Sequence, residues 1–236
     1  MDWRGQGTVL GRARHGEHAV ILRVLTRDQG LLAGIVPGGA SGKRAAMMQP
    51  GHVLSLHWRA RVEGQLGTFA AEPLRPRAAI LADGDALAAL NAVCALLLYA
   101  LPEADPHPAL TDRTEALLDA ADAGEDWRDA YLRWELALLE DLGLGLDLSA
   151  CAVTGARQGL AYVSPRTGRA VSAAAAGDWA PRLLPLPPML GGQGNGGLAQ
   201  GLALTGHFLE TRLAAMVGKP LPAARARLVM RLGPDG

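Results

Sequence analysis

The side chains that most often catalyse reactions or hold metals are scattered along this sequence of 236 residues. His15 and His18 have a spacing compatible with metal ligation, but no cysteine pair or carboxylate pair accompanies them. We interpret them as residues of a solvated turn. The glycine-rich stretch 38–44 lacks the phosphate-loop pattern, because Lys43 is followed by Arg44 rather than by Ser or Thr. We therefore predict a protein that is not an enzyme, with no catalytic residues and no cofactor.

The two cysteines and the acidic clusters have structural interpretations. Cys94 lies in an apolar run and is expected in a core. Cys151 begins the sequence Cys-Ala-Val-Thr-Gly, which has the outline of a zinc knuckle without its second cysteine. One sulfur cannot hold a structural zinc without three further ligands, and none is visible downstream. We expect two free thiols in a reducing cytoplasm. Four carboxylates recur at helical spacing, which predicts a solvated helix face: Asp112, Glu115, Asp119 and Asp122.

Nucleic-acid binding is the chemistry that the charge pattern supports. The formal charge is zero, but residues 1–78 carry a net +6, residues 79–147 a net −12 and residues 148–236 a net +6. A basic segment of this kind favours binding to polyanions, because phosphates are attracted to clustered cations. Aromatic stacking residues are scarce, and Trp58 alternates with leucines, which favours a core position. The candidate DNA contacts are Arg12, Arg14, Arg23, Arg27, Lys43, Arg44, Arg59 and Arg61, with Arg75 and Arg77 also available to the groove.

These cations fall in a segment that reads as five short strands, at 7–14, 18–26, 31–36, 52–61 and 66–72. Period-two alternation is clearest in the fourth strand, where Leu54, Leu56 and Trp58 point one way and His57 and Arg59 the other. A long glycine-rich loop at 37–43 separates the third and fourth strands. Five short strands with one long connection predict a small closed barrel of the OB type, with an SH3-like barrel as the competing fold.

The remainder of the chain predicts helices around an irregular insert. Acidic residues at 83–85 open a helix whose apolar positions include Leu90, Val93 and Leu97. Further helices are predicted at 109–121, 126–141, 199–217 and 222–232. Between them lie a turn-rich insert at 151–175 with a hairpin, and a linker at 181–197. The predicted fold class is α+β, with an OB-fold domain at 1–78 and a helical domain at 79–236.

Several stretches together resemble the RecO family of recombination mediators, in an order and spacing that span about 180 residues. Three stretches resemble the family's first strands and their turns: Gly-Thr-Val-Leu at 7–10, Arg-His-Gly-Glu at 14–17 and Leu-Thr-Arg-Asp-Gln-Gly at 25–30. The turn Gln-Pro-Gly at 49–51 into Leu-Ser-Leu-His-Trp-Arg at 54–59 resembles the fourth. The remaining matches are at 134–148, 151–155, 162–171 and 182–187.

The resemblance implies an OB-fold domain that binds single- and double-stranded DNA and a helical C-terminal domain. It implies annealing of complementary strands in RecF-pathway repair, partnership with RecR, contact with the C-terminal tail of single-strand binding protein, and help in loading RecA. Many members bind zinc through four cysteines. Here Cys151 matches the first ligand, Thr154 stands at the second, and 168–175 holds no cysteine pair. We predict no bound zinc, with packing and turn hydrogen bonds holding the local fold.

The tail of single-strand binding protein is acidic with an apolar end, so its site should be an apolar groove with arginine at the rim. The candidates are Arg128 and Arg133 on the third helix, or Arg225 and Arg227 near the end. We expect a cytoplasmic, nucleoid-associated protein, since the sequence shows neither an export signal nor a bilayer-length apolar run. The main alternative is an adaptor whose basic barrel binds acidic protein segments. A metal-dependent hydrolase using His15, His18 and helix carboxylates ranks third.

Overall fold

The computed structural model describes residues 2–60, 66–193 and 196–233, and the side chain of Lys43 is not among the described atoms. Arg61, one of the candidate DNA contacts, therefore lies outside the described residues. The chain divides into two compact units, Met1–Glu125 and Asp126–Gly236. The predicted domain boundary at residue 78 does not coincide with this division, because the helices that follow the barrel belong to the first unit. The boundary at residue 78 stays a prediction.

The first unit contains a closed five-stranded barrel with the strand order β1-β2-β3-β5-β4. All neighbouring strands are antiparallel except β3 and β5, which run parallel. A short helix, α1, lies between β3 and β4 and begins at the end of the loop predicted at 37–43. This strand order with its inserted helix is of the OB type rather than the SH3-like type. The elements are β1 (Asp2–His15), β2 (Ala19–Thr26), β3 (Gly30–Val36), α1 (Gly42–Met47), β4 (Val53–Arg59) and β5 (Gly67–Arg75).

Alternating apolar residues fill the barrel. Leu54 and Leu56 of β4 are buried with Phe69 of β5, and Trp58 packs against the same cluster, so its predicted core position is confirmed. Glycine allows the sheet to close at the parallel pair β3–β5, where Gly34 lies opposite Gly67. A Cβ atom at Gly67 would lie 2.2 Å from the Trp58 indole nitrogen, and one at Gly34 would lie 2.6 Å from the Phe69 ring.

Two helices complete the first unit: α2 (Gly84–Ala100) and α3 (Pro108–Asp122). The Asp83 side chain caps α2 by accepting hydrogen bonds from the backbone N–H groups of Asp85 and Ala86, at 2.7 and 3.1 Å. The apolar face of α2 packs against β1 and α3. The predicted helix starts were therefore correct to within a residue or two.

The second unit combines helices with a small antiparallel sheet in the order β7-β6-β8. The predicted hairpin is confirmed as β6 and β7. The stretch predicted to be a linker, 181–197, supplies β8 and the 3₁₀ turn Pro188–Leu190. A five-residue π-helical turn, Leu209–Leu213, joins α6 to α7. The elements are α4 (Arg128–Asp141), β6 (Leu160–Val163), β7 (Ala170–Ser172), α5 (Ala173–Ala176), β8 (Leu184–Pro185), α6 (Leu198–Phe208), α7 (Ala214–Val217) and α8 (Ala223–Arg231).

A buried ion pair joins three helices of the second unit. Glu135 of α4 is 0% exposed and Arg225 of α8 is 7% exposed. The Arg225 guanidinium donates to both carboxylate oxygens of Glu135, at 2.8 and 2.9 Å. Tyr131 and Thr205 donate their hydroxyls to the same carboxylate, at 2.7 and 2.5 Å. Every member of this polar cluster therefore has a partner, as buried charges require.

No helix among the described residues combines the length and the hydrophobicity needed to cross a membrane.

Candidate nucleic-acid interface

Arg12 and Arg14 lie on the end of β1 that follows a bulge between Val9 and Gly11. Together with Gly39, Ala40 and Ala45 they line a concavity of about 240 Å³ beside α1. The Arg12 guanidinium donates through Nη1 to the backbone oxygen of Ala45 at 2.5 Å, and the side chain stays exposed. Arg14 is exposed and makes no hydrogen bond or ion pair to any described residue. Both cations are therefore available to an external anion.

Arg44 of α1 lies on the other side of the same helix. It donates to the backbone oxygen of Pro37 at 2.9 Å and lines a second concavity of about 410 Å³ with His57, Arg59 and Thr68. Lys43 precedes it on α1. Because α1 borders both concavities, Arg44 extends the row of cations that begins with Arg14 and Arg12.

A third concavity, of about 700 Å³, covers the outward faces of β1, β4 and β5. It shares His57 and Glu72 with the second one and adds Arg4, Gln6 and Ser55. Arg4 is exposed and has no partner among the described residues. The second and third concavities share lining residues, whereas α1 contributes Ala45 to the first concavity and Arg44 to the second. We call the cations that line these three concavities the basic tract: Arg4, Arg12, Arg14, Arg44 and Arg59.

Arg59 is the one member of the basic tract that a described carboxylate neutralises. Its Nε donates to Asp2 Oδ2 at 3.0 Å, and His57 Nε2 lies 2.7 Å from Asp2 Oδ1. These contacts, with the His57 hydrogen bond the largest, hold the pKa of Asp2 below its usual value. Arg59 consequently has less free charge for a phosphate than Arg12 or Arg14.

The carboxylates of α3 are paired rather than free, although Asp112 and Asp119 stay partly exposed as their spacing predicts. Asp112 accepts two hydrogen bonds from Arg27, at 2.8 and 3.1 Å. Glu115 pairs with Arg75 at 2.9 Å and with Arg77 at 2.6 Å. A helix face that appears solvated from its period can be covered when oppositely charged strands pack against it.

The remaining two carboxylates of α3 are also engaged. Asp119 receives Arg77 at 2.8 Å and also pairs with Arg75. Asp122 accepts hydrogen bonds from the backbone N–H groups of Ala79 and Ile80, at 2.9 and 3.4 Å.

These contacts remove three arginines from the free cations of the barrel. Arg77 is 1% exposed and also donates to the backbone oxygen of Gly51 at 2.9 Å, so it cannot contact DNA as the groove prediction supposed. Arg75 and Arg27 remain exposed but are ion-paired. Arg23, opposite Ala33 of β3, is exposed and unpaired among the described residues. It does not line any of the three concavities and is therefore outside the basic tract.

The four arginines predicted to rim a partner groove occupy different environments. Arg128 lies over the Trp127 ring at 5.2 Å and pairs with Asp126. Arg133 is exposed and donates to the backbone oxygen of Met189 at 2.8 Å. Arg227 is exposed on α8. The prediction for Arg225 is corrected, because its burial against Glu135 places this side chain in the core rather than at an exposed rim.

The knuckle-like segment is closed by hydrogen bonds. The Cys151 sulfur accepts the Ser172 N–H at 3.3 Å, and the Cys151 N–H donates to the Ala156 oxygen at 2.8 Å. Burial raises the pKa of the Cys151 thiol, but hydrogen bonds from Ser172 and Thr154 outweigh it and lower the pKa to about 6. Turn hydrogen bonds therefore do hold this segment.

The donor set of the knuckle-like segment does not fit a structural zinc. Thr154 stands at the second ligand position, and neither Ser172 nor Ala175 supplies a sulfur. Across residues 2–60, 66–193 and 196–233, no cluster of three or more His, Cys, Asp or Glu side chains could hold a metal.

One tract residue, Arg4, was missed from the sequence because β1 begins at Asp2 rather than at the predicted residue 7. A signal for it existed. Along β1, Arg4 and Gln6 alternate with Trp3, Gly5 and Gly7. The latter three residues lie opposite Trp58, Leu56 and Leu54 in the β1–β4 pair. The alternation therefore places Arg4 on the outward side.

The barrel and its basic tract define a class of protein: an OB-type barrel with an exposed cationic surface, joined to a mainly helical region. Two family models match the chain, "Recombination protein O N terminal" over residues 1–77 and "Recombination protein O C terminal" over residues 81–219. The chain belongs to the RecO family of DNA repair proteins.

Curated relatives agree over nearly the full length. The DNA repair protein RecO of Paracoccus denitrificans is 69% identical over 233 residues, covering 98% of this chain and 96% of the relative. That of Ruegeria sp. is 57% identical over 234 residues, covering 97% of each. That of Roseobacter denitrificans is 55% identical over 234 residues, again covering 97% of each.

Proposed function

We propose that this protein is a non-enzymatic recombination mediator of the RecF pathway, which anneals complementary DNA strands and helps to load RecA onto single-stranded DNA coated by single-strand binding protein. The observation that carries the proposal is the basic tract. In it Arg4, Arg12, Arg14 and Arg44 have no carboxylate partner among the described residues. A row of unpaired guanidinium groups on an OB-type barrel is suited to a phosphate backbone.

The tract binds the backbone and does not read bases. Guanidinium groups that contact phosphates carry no sequence information, so single and double strands of any sequence are accepted. Binding of this kind neutralises phosphates, which lowers the repulsion between two strands as they pair. Arg23 supplies an additional cation outside the tract, and Lys43 stays a candidate contact through its position on α1. Arg27 and Arg59 contribute only where a phosphate displaces their carboxylates.

The partners we propose are RecR, the C-terminal tail of single-strand binding protein and, indirectly, RecA, at the nucleoid in the cytoplasm. For the acidic tail, Arg128, Arg133 and Arg227 remain candidates on exposed helix surfaces. Membership of the RecO family of DNA repair proteins supports these assignments.

Annealing by the full chain tests the proposal. Two complementary oligonucleotides carrying a fluorescence donor and acceptor are mixed with the protein, with the Arg12→Ala/Arg14→Ala double variant, or with Arg113→Ala. Arg113 is an exposed arginine on α3 outside the tract, so its removal controls for a loss of charge alone. We expect the wild type and Arg113→Ala to accelerate pairing and the double variant to lose most of that acceleration.

Equal annealing by all three proteins would contradict the role of the tract. The alternative, an adaptor that binds acidic protein segments, predicts no acceleration by any of them and tract-dependent binding of an acidic peptide.

A further inference from the structure

Trp179 is unusually exposed for a tryptophan of this chain. Its exposed fraction is 63%, whereas Trp127 and Trp134 are 3% and 2% exposed. Trp3 and Trp58 are partly buried and pack against the barrel core. The chain has five tryptophans, and each of the other four has a place in a core. The exposed indole of Trp179 therefore needs an explanation other than packing.

The local backbone presents this indole on a short, well-defined turn. Trp179 lies in a 3₁₀ turn, Gly177–Arg182, between α5 and β8. Gly177 takes a φ of +46°, which reverses the chain after α5, and Pro181 fixes the backbone inside the turn. The α5 helix in turn packs on β6 and β7. The ring is therefore held at the surface by the sheet rather than by a free loop.

One cation lies directly beside Trp179. The Arg182 guanidinium lies over the indole, 5.1 Å from the ring centroid, and orients the ring. Residues 151–193 contain one carboxylate, Asp178, against four arginines. Of these four, Arg169 pairs with Asp147, and Arg157 and Arg166 are exposed with no partner among the described residues. Asp178 precedes Trp179 in the same turn, so Arg182 is the group that would contact an anion beside the indole, and the ring itself suits an occupant with a flat face.

We propose that Trp179, with Arg182 beside it, is a stacking site for an unpaired base of single-stranded nucleic acid. The indole stacks on the base, and Arg182 contacts the adjoining phosphate. Stacking on an aromatic side chain is sequence-tolerant, because every base has a π face. In a duplex those faces are covered by neighbouring base pairs, so this site favours single strands, unlike the basic tract. The inference rests on the proposed function, since it assigns a second contact to the same ligand.

The test measures binding of the full chain to a thymidine oligonucleotide and to a duplex of the same length. The proteins are the wild type, Trp179→Ala, Trp179→Phe and, as a matched control, Met230→Ala, which removes an exposed apolar side chain (72% exposed) that is not aromatic. We expect Trp179→Ala to bind the single strand about tenfold more weakly, within the usual effect of losing one stacked base. Trp179→Phe should retain most of the affinity, and duplex binding should be unchanged.

Intrinsic fluorescence provides a second readout. The single strand should quench the wild-type emission, and this quenching should be absent in Trp179→Phe. Unchanged single-strand affinity in Trp179→Ala, or an equal loss on duplex, would overturn the stacking site. The stacking site would also be overturned if an acidic peptide, and not the oligonucleotide, quenched the tryptophan emission. The Arg12→Ala/Arg14→Ala variant separates this from the proposed function: if it weakens binding while Trp179→Ala does not, the basic tract stands and the stacking site fails.

Discussion

The buried pair of Glu135 and Arg225 distinguishes a structural role from a partner-binding role for Arg225. The change to make is Glu135→Leu, which leaves the guanidinium of Arg225 in the core without its carboxylate. Arg225 is 7% exposed, and its remaining acceptors are the backbone oxygen of Leu202, at 2.8 Å, and the Thr205 hydroxyl, at 3.4 Å. An unpaired buried charge cannot be compensated by these neutral groups.

The expected loss follows from this geometry. Removing one partner of a buried pair costs about 3–5 kcal/mol in the free energy of unfolding. With an m-value of about 1–3 kcal/mol per molar urea, the midpoint should fall by at least about 1 M. The double variant Glu135→Leu/Arg225→Met removes both charges and fills the space with apolar groups, so it should recover most of the loss.

Urea unfolding followed by tryptophan fluorescence provides the assay, since the Trp134 ring lies 5.9 Å from the Tyr131 ring beside the pair. The reasoning is refuted if Glu135→Leu unfolds at the wild-type midpoint, or if the double variant is as unstable as the single one. Arg225→Ala that stays fully stable but loses binding to an acidic peptide would restore the partner-binding interpretation.

Three further predictions concern the barrel and the knuckle-like segment. Asp112→Asn should free Arg27, so DNA affinity and its salt dependence should both increase in oligonucleotide titrations, the slope by about one unit; an unchanged slope would show that Arg27 does not face DNA. Burial raises the pKa of Asp119, but the hydrogen bonds and charges of Arg75 and Arg77 together outweigh it and hold the pKa below its usual value, so its stabilisation is present above the unfolded-state pKa and is lost as the pH falls through the folded-state pKa. Asp119→Asn should therefore unfold at lower temperature than wild type at pH 7, with a gap that shrinks near pH 3, whereas a constant gap would contradict the assignment. Elemental analysis of the purified chain should find well below about 0.2 zinc per molecule, because Cys151 lacks the other three ligands; one equivalent would contradict this.

Local patterns predicted the elements well because the information they need is local. Alternation in β4 identified its inward and outward faces, and the cap at Asp83 identified the start of α2. The hairpin at β6 and β7 followed from its turn residues. The α1 helix was missed because glycine and serine precede it, and these residues are typical of loops.

Long-range pairing could not be predicted in the same way. A helical spacing of carboxylates shows which side chains share a face, but not whether Arg27 or Arg75 will pack against it. The same limit applies to Arg225, whose burial depends on Glu135, 90 residues earlier in the chain. The basic tract was predicted only in part, because its members come from β1, α1 and β4, and closure of the barrel decides which of them are neighbours.

The most direct test of the basic tract is the salt dependence of oligonucleotide binding. The affinity of the full chain for a single strand is measured at several salt concentrations, for the wild type, Arg12→Ala/Arg14→Ala and Arg113→Ala. Each lost phosphate contact should reduce the log–log slope by about 0.7, so the double variant should lose about 1.4 units while Arg113→Ala keeps the wild-type slope. Equal slopes for all three proteins would show that the DNA lies elsewhere and would contradict the account.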